Sequence, residues 1–233
     1  MLPEVVVPKV DENRRYTTRV FMHFIKRVAG VTTWDLDAAA DQESHHAERW
    51  FAAPGDVAPG AAAFDGLKQS WLPPPEAKID RPHGYGWRPC PTCKGSCSVP
   101  VEGGGKACPT CYDHQGQVNE AWLIFVNPPF DDLATWLAKV WATIAEANAA
   151  GIDLRIAFVM PGNRTEQGHW QDHVEPFLEG HERAGRDGYK LVAHSPRTRQ
   201  NYGHPGNVEG LGSGDDSSGG AKWPSVVLVW RRA

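Results

Sequence analysis

Residues 121–161 leave this chain few choices of fold. Ala121-Trp122-Leu123-Ile124-Phe125-Val126 is an apolar run with no alternation, the pattern of a parallel strand buried on both faces. Asn127-Pro128-Pro129-Phe130 stops it, because proline cannot continue a ladder. Asp131-Asp132-Leu133 then opens a helical pattern from about Leu133 to Ala149, with Leu133, Trp136, Leu137, Val140, Ile144 and Ala147 on one face and Gly151 as its cap. Leu154-Arg155-Ile156-Ala157-Phe158-Val159-Met160 is a second buried strand, ended by Pro161. Strand, helix and strand make a βαβ unit with a right-handed crossover, so the fold class expected is α/β.

The tetrapeptide that ends the first strand also suggests chemistry. Open α/β sheets bind ligands at the carboxyl ends of their strands. There the Asn127 side-chain oxygen and the Pro128 carbonyl can both accept hydrogen bonds from an exocyclic NH2 group, and the Phe130 ring can stack on a flat base. Pro128 and Pro129 stiffen the turn, so little ordering entropy remains to be lost on binding. A proline turn without chemistry is the plain alternative.

Elsewhere Val20, Phe21, Phe24, Ile25 and Val28 place one apolar face on a helix from Arg19 to Val28, ended by Gly30. Thr32 to Leu36 reads as a short strand leading into Asp37, and Ala38 to Phe51 as a helical or turn-rich link. His169 to Glu179 reads as a further helix and Val226 to Trp230 as a last strand. Residues 195–222, rich in Gly, Ser, Pro, Asn and Asp, read as loop. A length of 233 residues suits one domain with a small insert: 1–79 and 119–233 as two parts of one domain, and 80–118 between them. Net charge is −4, so DNA binding would need a local basic groove. The N-terminus lacks a basic region followed by a long apolar stretch, and no run approaches a membrane span. A cytoplasmic protein without a membrane partner is expected, with a monomer as the default. Most of the ten tryptophans, including Trp34, Trp71 and Trp122, are expected in the core.

Residues 80–118 carry Cys90-x-x-Cys93 and Cys108-x-x-Cys111, with 14 residues between the pairs. That spacing suits a zinc ribbon, and in an intracellular chain it favours a metal over disulfides. Four thiolates close the coordination shell, so the zinc would be structural. Cys97 is either a free thiol or an alternate ligand. Arg81, Arg88, Lys94 and Lys106 surround the pairs with positive charge. The insert either contacts DNA, chiefly through Arg88 and Lys94, or is only a stapled loop.

Three segments in order carry a resemblance: Thr33-Trp34-Asp35-Leu36-Asp37-Ala38-Ala39-Ala40-Asp41, then Asp65-Gly66-Leu67-Lys68-Gln69-Ser70-Trp71, then Asn127-Pro128-Pro129-Phe130. The chain resembles the phage-type, Dam-like DNA N6-adenine methyltransferases from about Tyr16 to its C-terminus, with the cysteine-rich insert interrupting. The resemblance implies a Rossmann-like class I methyltransferase sheet with helices on both faces, plus the zinc-binding insert. It implies S-adenosyl-L-methionine as methyl donor, DNA as partner (duplex rather than single-stranded) and a phage or prophage origin, hence host cytoplasm and a tie to restriction-modification.

The resemblance also assigns roles. Asp37 would accept the donor's ribose hydroxyls, unless it caps a helix. Asp35 is either a second site carboxylate or a surface residue. Asp65 would lie near the donor's adenine, unless it is an ordinary turn aspartate. Thr17 or Thr18 would line the methionine end, unless they cap a helix. Arg164 would meet a phosphate or form a surface salt bridge. The target adenine would be flipped out to reach Asn127. The family's proline after the N-terminal threonine is absent, Phe130 stands where tyrosine is commoner, and no Phe-x-Gly-x-Gly loop exists. A cytosine-N4 or RNA amine methyltransferase is the nearest alternative, and a non-catalytic zinc-dependent nucleic-acid-binding protein is the alternative from another class.

Overall fold

The computed structural model describes residues 16–42, 44–52, 60–74, 87–89, 98–101, 104–107, 117–119, 121–163, 166–181, 185–196, 202–203 and 224–233. Its centre is a seven-stranded mixed sheet. In chain order its strands are β2 (Leu36–Ala40), β3 (Trp50–Ala52), β4 (Ala63–Phe64), β9 (Trp122–Val126), β10 (Leu154–Pro161), β11 (Tyr189–His194) and β13 (Ser225–Arg232). The spatial order is β11-β13-β10-β9-β2-β3-β4. The last five in that order are mutually parallel, and β13 runs antiparallel between β10 and β11. From β2 the chain moves outward to β3 and β4, then returns to place β9 on the other side of β2. The order therefore reverses between β2 and β9, the switch point at which open sheets form a ligand crevice.

Helices cover both faces. On one side α1 (Arg19–Ala29) buries Phe21, Met22, Ile25 and Ala29 against Phe125, Ala157, Val159, Val227 and Val229. On the other, α2 (Leu133–Ala149) buries Trp136, Leu137, Val140, Ile144 and Ala147 over Ile124, Ile156, Phe158 and Leu228. Each of the larger side chains contributes about 1.5–3 kcal/mol by leaving water, which is why the two apolar stripes set the layer order. A short helix, α3 (Gly168–His173), docks on α2, where Trp141 Nε1 donates to the His173 carbonyl at 2.9 Å. Trp34, Trp71 and Trp122 are buried. Arg155, near the amino end of β10, donates from Nη1 to the Ala29 and Gly30 carbonyls at 3.0 and 3.2 Å. Its guanidinium thus holds the C-terminus of α1, and the N-terminus of α1 lies toward the carboxyl edge of the sheet.

Among the described residues, three two-stranded pairs stand apart from that sheet: β1 (Tyr16–Thr17) with β12 (Tyr202–Gly203), β5 (Trp87–Pro89) with β8 (Gln117–Asn119), and β6 (Ser98–Val101) with β7 (Gly104–Ala107). The last two pairs fall within or at the border of the expected insert. Cys90, Cys93, Cys108 and Cys111, like Lys94 and Arg164, lie outside the described residues. Among the described residues no helix is long and apolar enough to cross a membrane.

Four readings of the sequence need correction. The strand expected at 32–36 lies at Leu36–Ala40, and the link expected at 38–51 contains most of β2 and most of β3. The alanine run favours helix locally, but pairing of Leu36 and Asp37 with β9 and of Asp37 and Ala40 with β3 overrides that preference. Val20 is 76 % exposed, because the face of α1 that meets the sheet passes through Met22 and Ala29 instead. The helix expected over 169–179 stops at His173 and becomes a 3-10 turn at Glu175–Phe177, where Pro176 interrupts it.

Candidate active site

The carboxyl edge of the five parallel strands gathers Asp65 and the tetrapeptide from Asn127 to Phe130. Asn127 follows β9 directly and is half-buried, Pro128 is buried, and Pro129 is exposed. Phe130 begins a 3-10 turn through Asp132, and its half-buried ring packs on the α2 side of the core. Asn127 therefore borders the switch-point crevice on one side and the β9–β10 side on the other.

Asp65 stands at the carboxyl end of β4 in the left-handed region, with φ of 58°. Its amide donates to the Ala52 carbonyl at 3.0 Å, which ties the turn to β3. Its Oδ2 pairs with Lys68 Nζ at 2.8 Å, while its Oδ1 is buried and accepts no hydrogen bond. The rest of the motif builds this turn. Trp71 Nε1 donates to the Gly66 carbonyl at 2.7 Å, and Trp122 Nε1 donates to the Trp71 carbonyl at 2.9 Å. Gly66 lies so close to β2 that a β-carbon there would overlap the Ala38 carbonyl oxygen. The Asp-Gly-Leu…Trp pattern is thus a device that presses a carboxylate-bearing turn against the central strand.

Asp37 does not stand at the edge. The shift of β2 places it inside the strand, 1 % exposed. Its Oδ2 accepts the His46 amide at 3.0 Å and its Oδ1 the Ala39 amide at 3.4 Å. Burial pushes its carboxyl up to about 7 despite those two donors, and the neighbouring Asp41 charge adds to the rise. It caps no helix either: it organises the loop between β2 and β3 from below. The carboxylate that follows the strand is Asp41, partly exposed, whose Oδ1 accepts the Ser44 amide at 3.0 Å. The same reasoning that selected Asp37 selects Asp41 once the strand is set four residues later. Asp35 lies at the opposite, amino end of β2, where it exchanges two hydrogen bonds with Leu123: its Oδ2 accepts at 2.9 Å and its amide donates at 2.8 Å. That is a sheet-edge clamp, remote from the carboxyl ends.

Thr18 is the N-cap of α1, with its Oγ1 accepting from the Phe21 amide at 3.4 Å. Thr17 is 2 % exposed and its Oγ1 is buried without a hydrogen-bond partner. Thr17 also meets His46, a residue the sequence did not single out. The His46 ring packs edge-on against Phe125 at 5.4 Å between centroids. Burial lowers His46 to about 4, with the Lys26 and His45 charges adding to the effect and a hydrogen bond to the Thr17 backbone opposing it. Arg88 lies in β5, opposite Val118.

A cleft of about 350 Å³ opens beside the motif, lined by Phe130, Asp131, Asp132, Leu133, Ala134, Gln167 and His169. Gln167 and His169 precede and enter α3, and no periodicity in the sequence distinguishes them from surface polar residues. No family model matches the chain, and no curated protein or solved structure matches it.

Proposed function

We propose that this chain is an S-adenosyl-L-methionine-dependent amine methyltransferase. Its acceptor is the N6 amino group of a flipped-out adenine in DNA, preferentially duplex DNA. The observation that carries the reading is the position of Asn127-Pro128-Pro129-Phe130. It ends the strand beside the switch point of a sheet with helices on both faces. That arrangement supports a Rossmann-like methyltransferase sheet, since it puts two hydrogen-bond acceptors and a ring where such sheets bind flat ligands.

The donor fits on two buried atoms. Asp65 Oδ1 and Thr17 Oγ1 accept no hydrogen bond, and buried polar atoms are otherwise almost always satisfied. Asp65 would take the donor's adenine, Asp41 its ribose hydroxyls, and Thr17 its amino-acid end, with Asp37 and His46 holding the loop that carries Asp41. When bound, the donor would supply an electrophilic methyl group, its sulfonium becoming a neutral thioether as the methyl passes to the acceptor nitrogen.

The chain's own residues prepare the nitrogen. An adenine amino group is a poor nucleophile because its lone pair is delocalised into the ring. Asn127 Oδ1 and the Pro128 carbonyl accept its two hydrogens, which favours a tetrahedral nitrogen with an available lone pair. Phe130 holds the ring plane. Positioning and fixed dipoles carry most of the rate. The methylated nitrogen then loses a proton to water, so no strong base is required beforehand. The four cysteines Cys90, Cys93, Cys108 and Cys111 would hold one structural zinc.

The test is methylation of unmodified DNA with labelled donor, followed by nucleoside mass spectrometry, for wild type and Asn127→Ala. N6-methyladenine that vanishes in the variant is the expected result. Methylcytosine would overturn the acceptor. No donor binding would overturn the methyltransferase reading.

A further inference from the structure

The switch-point crevice, between β2 and β9, and the cleft beside Phe130 lie on opposite sides of Asn127. The cleft belongs to the β9–β10 side, because Gln167 and His169 follow β10 while Phe130 to Ala134 follow β9. Its volume of about 350 Å³ is at the small end of the range for ligand sites, suited to a single base rather than to a nucleoside with a methionine tail. Asp131 and Asp132 are exposed on its lip, and among its described lining residues none is Lys or Arg. The lining offers no cation to a phosphate inside the cleft, which leaves hydrogen bonding and stacking of the base as the modes of recognition there.

Gln167 is an unusual choice for its place. It is the N-cap residue of α3, a position that favours Ser, Thr, Asp and Asn because their short side chains reach the helix amides. Its side chain makes no capping hydrogen bond, and it lines the cleft. Its backbone is set firmly: the Gln167 carbonyl accepts from Trp170 and Gln171 at 3.0 and 3.2 Å, and the far end of α3 is held by Trp141. A fixed backbone thus carries, at the wall of the cleft, an amide that makes no capping hydrogen bond to its own helix.

We propose that this cleft receives the acceptor base, with Phe130 against its face and the Gln167 amide donating to a ring nitrogen of adenine. Gln167 is then a specificity-determining residue. The inference rests on the methyltransferase reading above. With both N6 hydrogens accepted by Asn127 and Pro128, the ring acceptors that flank the amine are N1 and N7, and a glutamine NH2 suits either; N3 lies on the sugar edge, away from the amine.

The experiment pairs Gln167→Leu, which keeps the side chain's bulk, with DNA in which adenine is replaced throughout by 1-deazaadenine or 7-deazaadenine. Donor affinity is measured in parallel. The expected result is a loss of about tenfold or more in kcat/KM on adenine DNA, with donor affinity unchanged and the loss shrinking to less than about threefold on one of the two deaza substrates. The inference is overturned if the loss persists in full on both deaza substrates, if the variant keeps wild-type kcat/KM on adenine DNA, or if donor affinity falls instead. A wild type that methylates no adenine overturns the parent reading and this inference together. A wild type that methylates adenine with the variant undiminished overturns this inference alone.

Discussion

Gly66→Ala is the sharpest test of how the site is built. The added β-carbon would overlap the Ala38 carbonyl oxygen and sit 3.3 Å from the Trp136 ring. Neither neighbour can yield cheaply: the Ala38 contact is backbone of β2 in the sheet, and Trp136, on the buried face of α2, is 2 % exposed. The turn must move instead. Overpacking of this kind costs about 1–3 kcal/mol, and the move strains the bond from Trp71 Nε1 to Gly66, worth about 1 kcal/mol more. The sum is about 2–4 kcal/mol, which lowers the melting temperature of a chain this size by about 5–15 °C. The turn also carries Asp65, so donor affinity should fall in parallel. Urea unfolding followed by tryptophan fluorescence measures the first effect and donor titration the second. Gly168→Ala is the control. Its β-carbon would meet nothing closer than 3.8 Å and it lies within α3, so stability should hold or rise by about 0.5–1 kcal/mol. A Gly66→Ala protein within about 0.5 kcal/mol of wild type would show that the turn does not press on β2 as described.

Two further outcomes are expected. Asp37 is raised from 3.8 to about 7, so the folded chain holds a proton there that the unfolded chain releases above about pH 4. Its contribution to stability is therefore full below about pH 4 and declines as pH rises to about 7, by on the order of 4 kcal/mol. Unfolding of wild type and Asp37→Asn at several pH values measures this: the difference between them should shift against wild type as pH rises, and a constant difference would count against a buried carboxyl. For the insert, metal analysis should find about one zinc per chain, lost in Cys108→Ser. A metal content unchanged by that substitution would refute the four-thiolate site.

The long, self-consistent segments could be read directly. Residues 121–126, 133–149 and 154–160 each carry enough apolar side chains at one spacing to declare strand or helix, and the structure has β9, α2 and β10 there within a residue or so. Thr18 and Gly30 likewise mark the ends of α1, because capping is local chemistry between a residue and its own helix. With them came the motif's place at a strand's carboxyl end, since that depends only on what precedes and follows it.

What is two to five residues long, or depends on a neighbour far along the chain, was decided by packing. Ala38-Ala39-Ala40 is strand because it continues Leu36 and Asp37, which pair with β9, and because β3 pairs with Asp37 and Ala40; that shift moved Asp37 from the edge to the interior and brought Asp41 to the edge. β3 and β4 are too short to show a period of their own. β11 is held at the sheet's far side by pairing with β13 and by Tyr189, whose hydroxyl donates to Asp153 at 3.1 Å and accepts from the Leu154 amide at 2.8 Å. The cleft beside Phe130 joins residues some 35 positions apart through the docking of α3 on α2, so nothing in the local pattern around Gln167 could announce it. Local sequence determines the conformation of a segment that buries its own stripe; only the assembled sheet determines which carboxylate is buried, which reaches the edge, and what faces the motif across a cleft.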